Sequence, residues 1–174
     1  MADVFYRQLG TGVASLTFGV ALSVFIYAVA SGIVNSMQAW LLFAASFLLM
    51  LRFWWRYNEL FVQYLPSHTF RHFLFDFAIS FFGILAVLFV GTIQTWAMIG
   101  ALAMLSSAIR CGLSWKEATK DTKTKLKRTF FGSVGMLIIM LIVYAAVPAI
   151  ENILLAASIF IIILLFVIYA SMKP

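Results

Sequence analysis

The stretch that decides the fold runs from Phe70 to Arg110, FRHFLFDFAISFFGILAVLFVGTIQTWAMIGALAMLSSAIR. It holds two apolar runs, Phe70–Gly91 and Ile93–Arg110, that meet at a polar break between Gly91 and Thr95. A helix needs about 20 apolar residues to cross the hydrocarbon core of a bilayer, so each run has the length of one crossing. The break is too short for anything but a tight turn between antiparallel neighbours. The pair reads as a transmembrane hairpin.

The same pattern recurs on both sides. Val13–Ser31 and Gln38–Arg56 are joined by Gly32–Met37, and Thr129–Pro148 and Ile153–Met172 by Ala149–Asn152. The expectation is an all-α integral membrane protein of six transmembrane helices in three antiparallel hairpins, one domain over residues 1–174. Composition agrees: 64% of the 174 residues are hydrophobic and 10% charged, against about 25% charged in soluble domains. The longest polar stretch, Arg110 to Thr129, is too short to bury a core of its own. That excludes a separate nucleotide-binding, DNA-binding or catalytic domain. Met1–Gly12 lacks the basic stretch and cleavage site of a signal peptide, so the first run is expected to be a retained helix. With Cys111 the single cysteine, no intrachain disulfide can form.

Charge placement sets the orientation. None of the twelve Lys and Arg residues falls in the three tight turns; all lie on the side of the termini and the longer connections, near Tyr57–Thr69 and Cys111–Arg128. The positive-inside rule then puts both termini in the cytoplasm, and the expected location is a prokaryotic plasma (inner) membrane. Most of the formal net charge of +6 sits in Arg110–Arg128. There Ser114-Trp-Lys-Glu117 has the form of a capping box, predicting a short interfacial helix within the basic loop 111–128. Lys116, Lys120, Lys123 and Lys127 would share one face of it, suited to anionic lipid headgroups. The alternative for that loop is a solvated, topology-setting segment. A nucleic-acid partner is not expected so close to two crossings. Trp40, Trp54, Trp55, Trp96 and Trp115 fall at segment ends or in this loop, as an interfacial aromatic belt requires.

Candidate chemistry starts with intramembrane charge, because a carboxylate in hydrocarbon is costly. Asp76 is the one acid inside a predicted span, and Arg52 and Arg56 lie at the matching end of the preceding segment. An ion pair from Asp76 to Arg52 is expected, since Arg56 can snorkel to the interface. The pair reads either as a clamp between helices or as part of an ion or proton path, with Ser80 and Gly83 continuing the same face. His68 and His72 stand at i, i+4, with Asp76 one step on and Glu59 in the preceding loop. They are weak metal candidates, and otherwise interfacial histidines or a pH sensor. In the first segment, Thr11, Ser15, Gly19, Ser23 and Tyr27 recur every four residues. Such a stripe serves either close helix packing or a polar path, in which Leu16 or Leu22 would form an apolar constriction. Motifs for metal-dependent, nucleophilic or phosphate-cradling catalysis are missing. Neither an enzyme nor a cofactor is expected.

Phe47-Leu48, Trp54 and Leu60-Phe61 are similar in type and spacing to the second helix of the lysosomal potassium-channel family and its bacterial six-helix relatives. Asp76 stands close to the asparagine of that family's third helix, and Pro148 matches a proline near the end of its fifth. The resemblance implies an oligomer with the first helix lining a pore, and potassium transport. Where that family carries an Arg…Phe-Ser-Asp-Gly signature, this chain reads Arg7-Gln-Leu-Gly-Thr-Gly-Val-Ala-Ser15, so its pore residues do not carry over. The leading expectation is a homo-oligomeric channel for small monovalent cations, its path lined by Thr11, Ser15, Gly19 and Ser23. Two alternatives stand beside it: a small-solute binding subunit of a transporter, which requires a cavity inside one protomer, and a non-catalytic accessory subunit of a membrane complex.

Overall fold

Short polar side chains set where the helices begin. Ser36 Oγ accepts from the Ala39 N–H (3.1 Å), Thr69 Oγ1 from His72 N–H (3.5 Å) and Thr119 Oγ1 from Thr122 N–H (3.4 Å), satisfying donors that a helix start leaves open. The computed structural model describes residues 2–62, 69–147 and 152–172, with side chains for all of these except 2–11, 13–15, 61–62 and 170–172. Six helices follow in order: α1 (Ala2–Ala30), α2 (Met37–Tyr57), α3 (Phe70–Leu88), α4 (Ile93–Leu113), α5 (Lys120–Ala146) and α6 (Asn152–Met172). No strand occurs among the described residues. Five helical stretches, in α2 to α6, are long and apolar enough to cross a membrane, and α1 adds the apolar stretch Leu16–Ala30. The chain is a membrane protein.

α4 is the central helix. Of its apolar span 61% is buried, against 22–28% in the other four. Its small residues explain this: Ala97, Ala101, Ala103 and Ala108 are buried, and a Cβ on Gly100 would lie 3.3 Å from Met140 Sδ of α5. Small side chains let neighbouring backbones approach on both sides, so α3 and α5 both pack along α4. The α3–α4 pair is the expected hairpin. The outer helices differ from the expected pairing, since α1 lies chiefly on α3 and α6 on α2. A tight turn holds two helix ends together but leaves the choice of partner along their length to side-chain packing.

Two further expectations are corrected. The separate helix predicted at Ser114 is a single 3₁₀ turn, Ser114–Lys116, and the basic helix starts instead at the Thr119 cap and runs on unbroken as α5. Both members of the capping box are engaged elsewhere: Ser114 Oγ accepts from Arg110, and the Glu117 carboxylate faces His72. Of the tryptophans expected in an aromatic belt, Trp40, Trp55 and Trp115 are exposed, whereas Trp96 is buried with its indole N–H donating to Ser46 Oγ at 2.8 Å. An indole can enter the core once its one donor is satisfied. Trp54 also turns inward and stacks on Phe18, ring centroids 4.6 Å apart.

The two ends of the bundle differ. At the end of the α1–α2 and α3–α4 turns, Val34, Ala39, Leu42, Val90 and Ile93 are buried together, and Gln38 Nε2 donates to Gly91 O (3.3 Å) across the turns. At the other end three polar contacts gather the basic segments: Asp76 with Arg110, Glu59 with Lys125, and His72 with Glu117. At the first end α1 stops on Gly32, whose φ of 74° is the left-handed conformation that lets Val34 N–H reach back to Ala28 O. A side chain in that conformation costs about 1–2 kcal/mol. Gly32→Ala is expected to lower stability by that amount, read as a reduced thermal midpoint in detergent, while Gly91→Ala, at a position with open space around its Cβ, changes it little.

Candidate functional site: a cavity at the basic end of the bundle

Asp76 and Arg110 form the deepest polar feature. Their side chains are 2% and 0% exposed, with Arg110 Nε 2.9 Å from Asp76 Oδ1. Arg110 Nη1 also donates to the buried hydroxyl of Ser114. This corrects the expected pairing of Asp76 with Arg52 or Arg56: the ion pair comes from α4, against which α3 packs, rather than from α2. Side chains tilt toward their own helix N-terminus. In the antiparallel α3–α4 pair, Arg110 therefore leans inward and Asp76 outward, which closes the axial gap between them. Arg56 instead places Nη1 2.6 Å from Glu59 Oε2, and the other oxygen of Glu59 accepts from Lys125 Nζ at 2.9 Å. Glu59 thus ties the end of α2 to α5. The Ser107 and Ser133 hydroxyls share a buried hydrogen bond of 2.8 Å, a second polar link, here between α4 and α5.

Beside these links lies a cavity of about 440 Å³ to which all six helices contribute. α2 supplies Ser46, Met50, Arg52 and Arg56; α3 supplies Asp76, Ser80 and Gly83. Trp96, Gly100 and Ser107 face it from α4, and Arg128, Gly132 and Met136 from α5. Phe18 and Ala21 of α1 and Phe166 and Tyr169 of α6 close the circle. Its arginines sit at the basic end, while Trp96, within one turn of the α3–α4 connection, forms its floor with Ala86 and Met140. The packed layer around Val90 and Ile93 lies beyond that floor. Such a shape, apolar with a few convergent polar groups, is the usual form of a small-molecule site.

The remaining candidates are dispersed. Leu16, Leu22, Gly19, Ser23 and Tyr27 lie on the exposed outer face of α1, where Ser23 Oγ donates to Gly19 O at 3.0 Å. Leu16, Gly19, Val20, Ser23 and Tyr27 line a shallow groove there, separate from the cavity, which α1 reaches through Thr17, Phe18 and Ala21. The Thr11 and Ser15 side chains and all of His68 lie outside the described residues, as does Pro148. His72 is buried with Nε2 4.0 Å from Glu117 Oε1, and no three His, Cys, Asp or Glu among the described residues gather as metal ligands. Lys116, Lys120 and Lys127 are exposed and Lys123 half-buried; Lys127 Nζ stands 6.0 Å from the Phe131 ring centroid.

Sequence reasoning missed Arg110 as an interior residue because it closes a span, where an arginine ordinarily snorkels to the headgroups. It missed the cavity because holes have no sequence signature. Removing one member of a buried ion pair leaves a costly charge, about 3–5 kcal/mol. Arg110→Met is expected to lose stability on that scale, and Asp76→Asn with Arg110→Met to recover much of it, measured by thermal unfolding of the purified variants.

No family model, curated protein or solved structure matches this chain.

Proposed function

We propose that this membrane protein binds a small solute inside its own six-helix bundle, as the membrane-embedded binding subunit of a transporter. The observation that carries this reading is the 440 Å³ cavity within one protomer, walled by all six helices. A path for ions at an oligomer axis would not need an internal chamber; a solute site does. In this proposal the basic end faces the cytoplasm, following the positive-inside rule, in a prokaryotic plasma membrane. Lys116, Lys120, Lys123 and Lys127 then sit where anionic headgroups are.

A second reading, an oligomeric cation channel, draws on a different observation. The small and polar positions Gly19 and Ser23 of α1 face outward, in a groove with Leu16 and Val20, where subunits meeting around α1 would bring them to a common axis. The resemblance of α2 and α3 to the lysosomal potassium channels supports the same reading.

Particle mass separates the two. Native mass spectrometry from nanodiscs is expected to show one 19.5 kDa chain, alone or with an energising partner, carrying a bound small molecule that Gly83→Leu removes. That variant projects a side chain from the cavity wall where a Cβ meets nothing within 4 Å. A homo-oligomer that passes cations in liposome flux assays would replace the solute-binding reading with the channel; an empty monomer would sink both.

A further inference from the structure

The polar groups in the chamber wall are taken up by the protein itself. Ser46 Oγ donates to Leu42 O at 2.8 Å and accepts from the Trp96 indole N–H. The Ser107 and Ser133 hydroxyls hold each other, and Thr129 Oγ1 donates to Lys125 O at 3.0 Å. Asp76 is held by Arg110 and Arg56 by Glu59, while Arg52, Arg128, Tyr57 and Tyr169 are engaged as well. The other wall hydroxyls, Thr17 and Ser80, carry no charge. Between these groups the wall is built of Leu, Ile, Met, Phe and Trp side chains, from Ser46 to Arg56 on α2 and from Met140 to Arg128 on α5, about 15–18 Å at 1.5 Å per residue. An ion or a polyol placed there would exchange water for groups that are already paired, which is costly. An apolar molecule has no such loss, and about 440 Å³ falls within the range of about 300–1,000 Å³ that holds small organic ligands.

The packing of the helices leaves a way in. α5 and α6 follow each other in the chain, but α5 packs along α4 and α6 along α2, and the two barely touch. At the chamber Phe166 bridges them: a Cβ on Gly132 would lie 3.5 Å from Phe166 Cζ, and both residues belong to the wall. The α1–α2 side is closed more firmly, by Phe18 stacked on Trp54 and by Phe25 set edge-on against Phe43 and Phe47. Ile138 and Leu141 of α5 and Ile161 and Leu165 of α6 are exposed, as on helices whose outer faces meet hydrocarbon. We infer that the chamber takes an uncharged, apolar molecule from the bilayer, admitted between α5 and α6 past the Phe166 ring. This rests on the solute-binding reading and adds the ligand's chemical class and its route. The arginines at the basic end then mark the headgroup level, where their charges stay near water, and the guest lies along the wall toward Trp96.

The test uses the full chain in nanodiscs of zwitterionic lipid, with tryptophan quenching by decyl bromide. Carboxylate and ammonium compounds of the same length, brominated at the tail, serve as comparisons. Trp54 and Trp96, both in the chamber wall, are the reporters. Saturable quenching by decyl bromide is expected, about tenfold tighter than by either ion, because an ion has to be stripped of water. Trp54→Phe with Trp96→Phe should remove the saturable part and leave the linear quenching caused by partition into lipid; saturation that survives overturns the chamber as its site. The route is read by stopped-flow mixing with loaded vesicles. Phe166→Ala should speed association several-fold. Gly132→Ala, whose methyl meets the Phe166 ring at ordinary contact distance, should slow it by a comparable factor, and Phe18→Ala should leave it near that of the parent. A merely supporting role for Phe166 would raise dissociation alone. Thermal midpoints near that of the parent qualify each variant as folded, and Gly132→Ala keeps the route testable if Phe166→Ala unfolds. Association unchanged in both, or accelerated by Phe18→Ala instead, overturns the route between α5 and α6. Equal or tighter saturation by an ion overturns the apolar assignment while leaving a solute cavity; no saturable quenching by any of the three overturns the cavity reading too.

Discussion

The buried contact of Asp76 with Arg110 and Ser114 is the constraint on which the arrangement of this bundle depends. Each ion costs several kcal/mol to take out of water, and only a well-placed partner offsets that. The pair therefore tolerates one register of α3 against α4, with Nε and Oδ1 2.9 Å apart. Its third member carries the effect along the chain. Because Arg110 holds the Ser114 hydroxyl, that serine is not available to cap a helix, the chain turns once at Ser114–Lys116, and the next helix waits for Thr119. The basic residues become the opening turns of α5 instead of a separate surface helix.

Around this contact, residue size decides the rest. The alanines and Gly100 of α4 admit α3 and α5 closely on either flank. Where large and small side chains from all six helices do not fill the remaining space, a chamber is left that runs from the arginines at the basic end to Ala86 and Trp96, near the α3–α4 turn. At the end of the α1–α2 and α3–α4 turns, Val34, Leu42, Val90 and Ile93 meet in one cluster. A chamber edged by guanidiniums at one end and by Trp96 and Met140 at the other presents different chemistry to a molecule along its length. The outer face of α1, with Gly19 and Ser23, presents a surface to other helices. The two features are distinct and compatible, one suited to a guest inside the protomer and the other to a neighbour outside it.

The polar links across the basic end are unequal in kind. Asp76 with Arg110 is sealed from solvent, whereas Glu59 with Arg56 and Lys125 keeps 18–35% of its side-chain surface exposed. Pairs with that much water access contribute about 0–1 kcal/mol each. Their consequence lies in position: Glu59 joins the end of α2 to α5 through Lys125 and holds Arg56, which lines the chamber.

Hydrophobic run length was enough to show the six apolar helical segments, since it acts locally and leaves its mark in neighbouring positions, but it left the starts of α1 and α5 about ten residues short, because their first turns are polar. Asp76 stood out for the same reason, as a carboxylate in an apolar run. Partner choice was not legible. The sequence paired Asp76 with Arg52, α1 with α2 and α5 with α6, because chain proximity was the one guide available. Packing instead set Arg110 against Asp76, α1 on α3 and α6 on α2, and drew Trp96 inward to Ser46. The cavity was equally hidden, being a property of how side chains from six separated segments fail to fill a volume. What the sequence by itself determined is what a residue and its near neighbours decide: membrane class, the apolar helical segments and the placement of positive charge outside the short turns. Only the tertiary structure decided which charges meet and where space is left, because side-chain shape is resolved between segments and not along them.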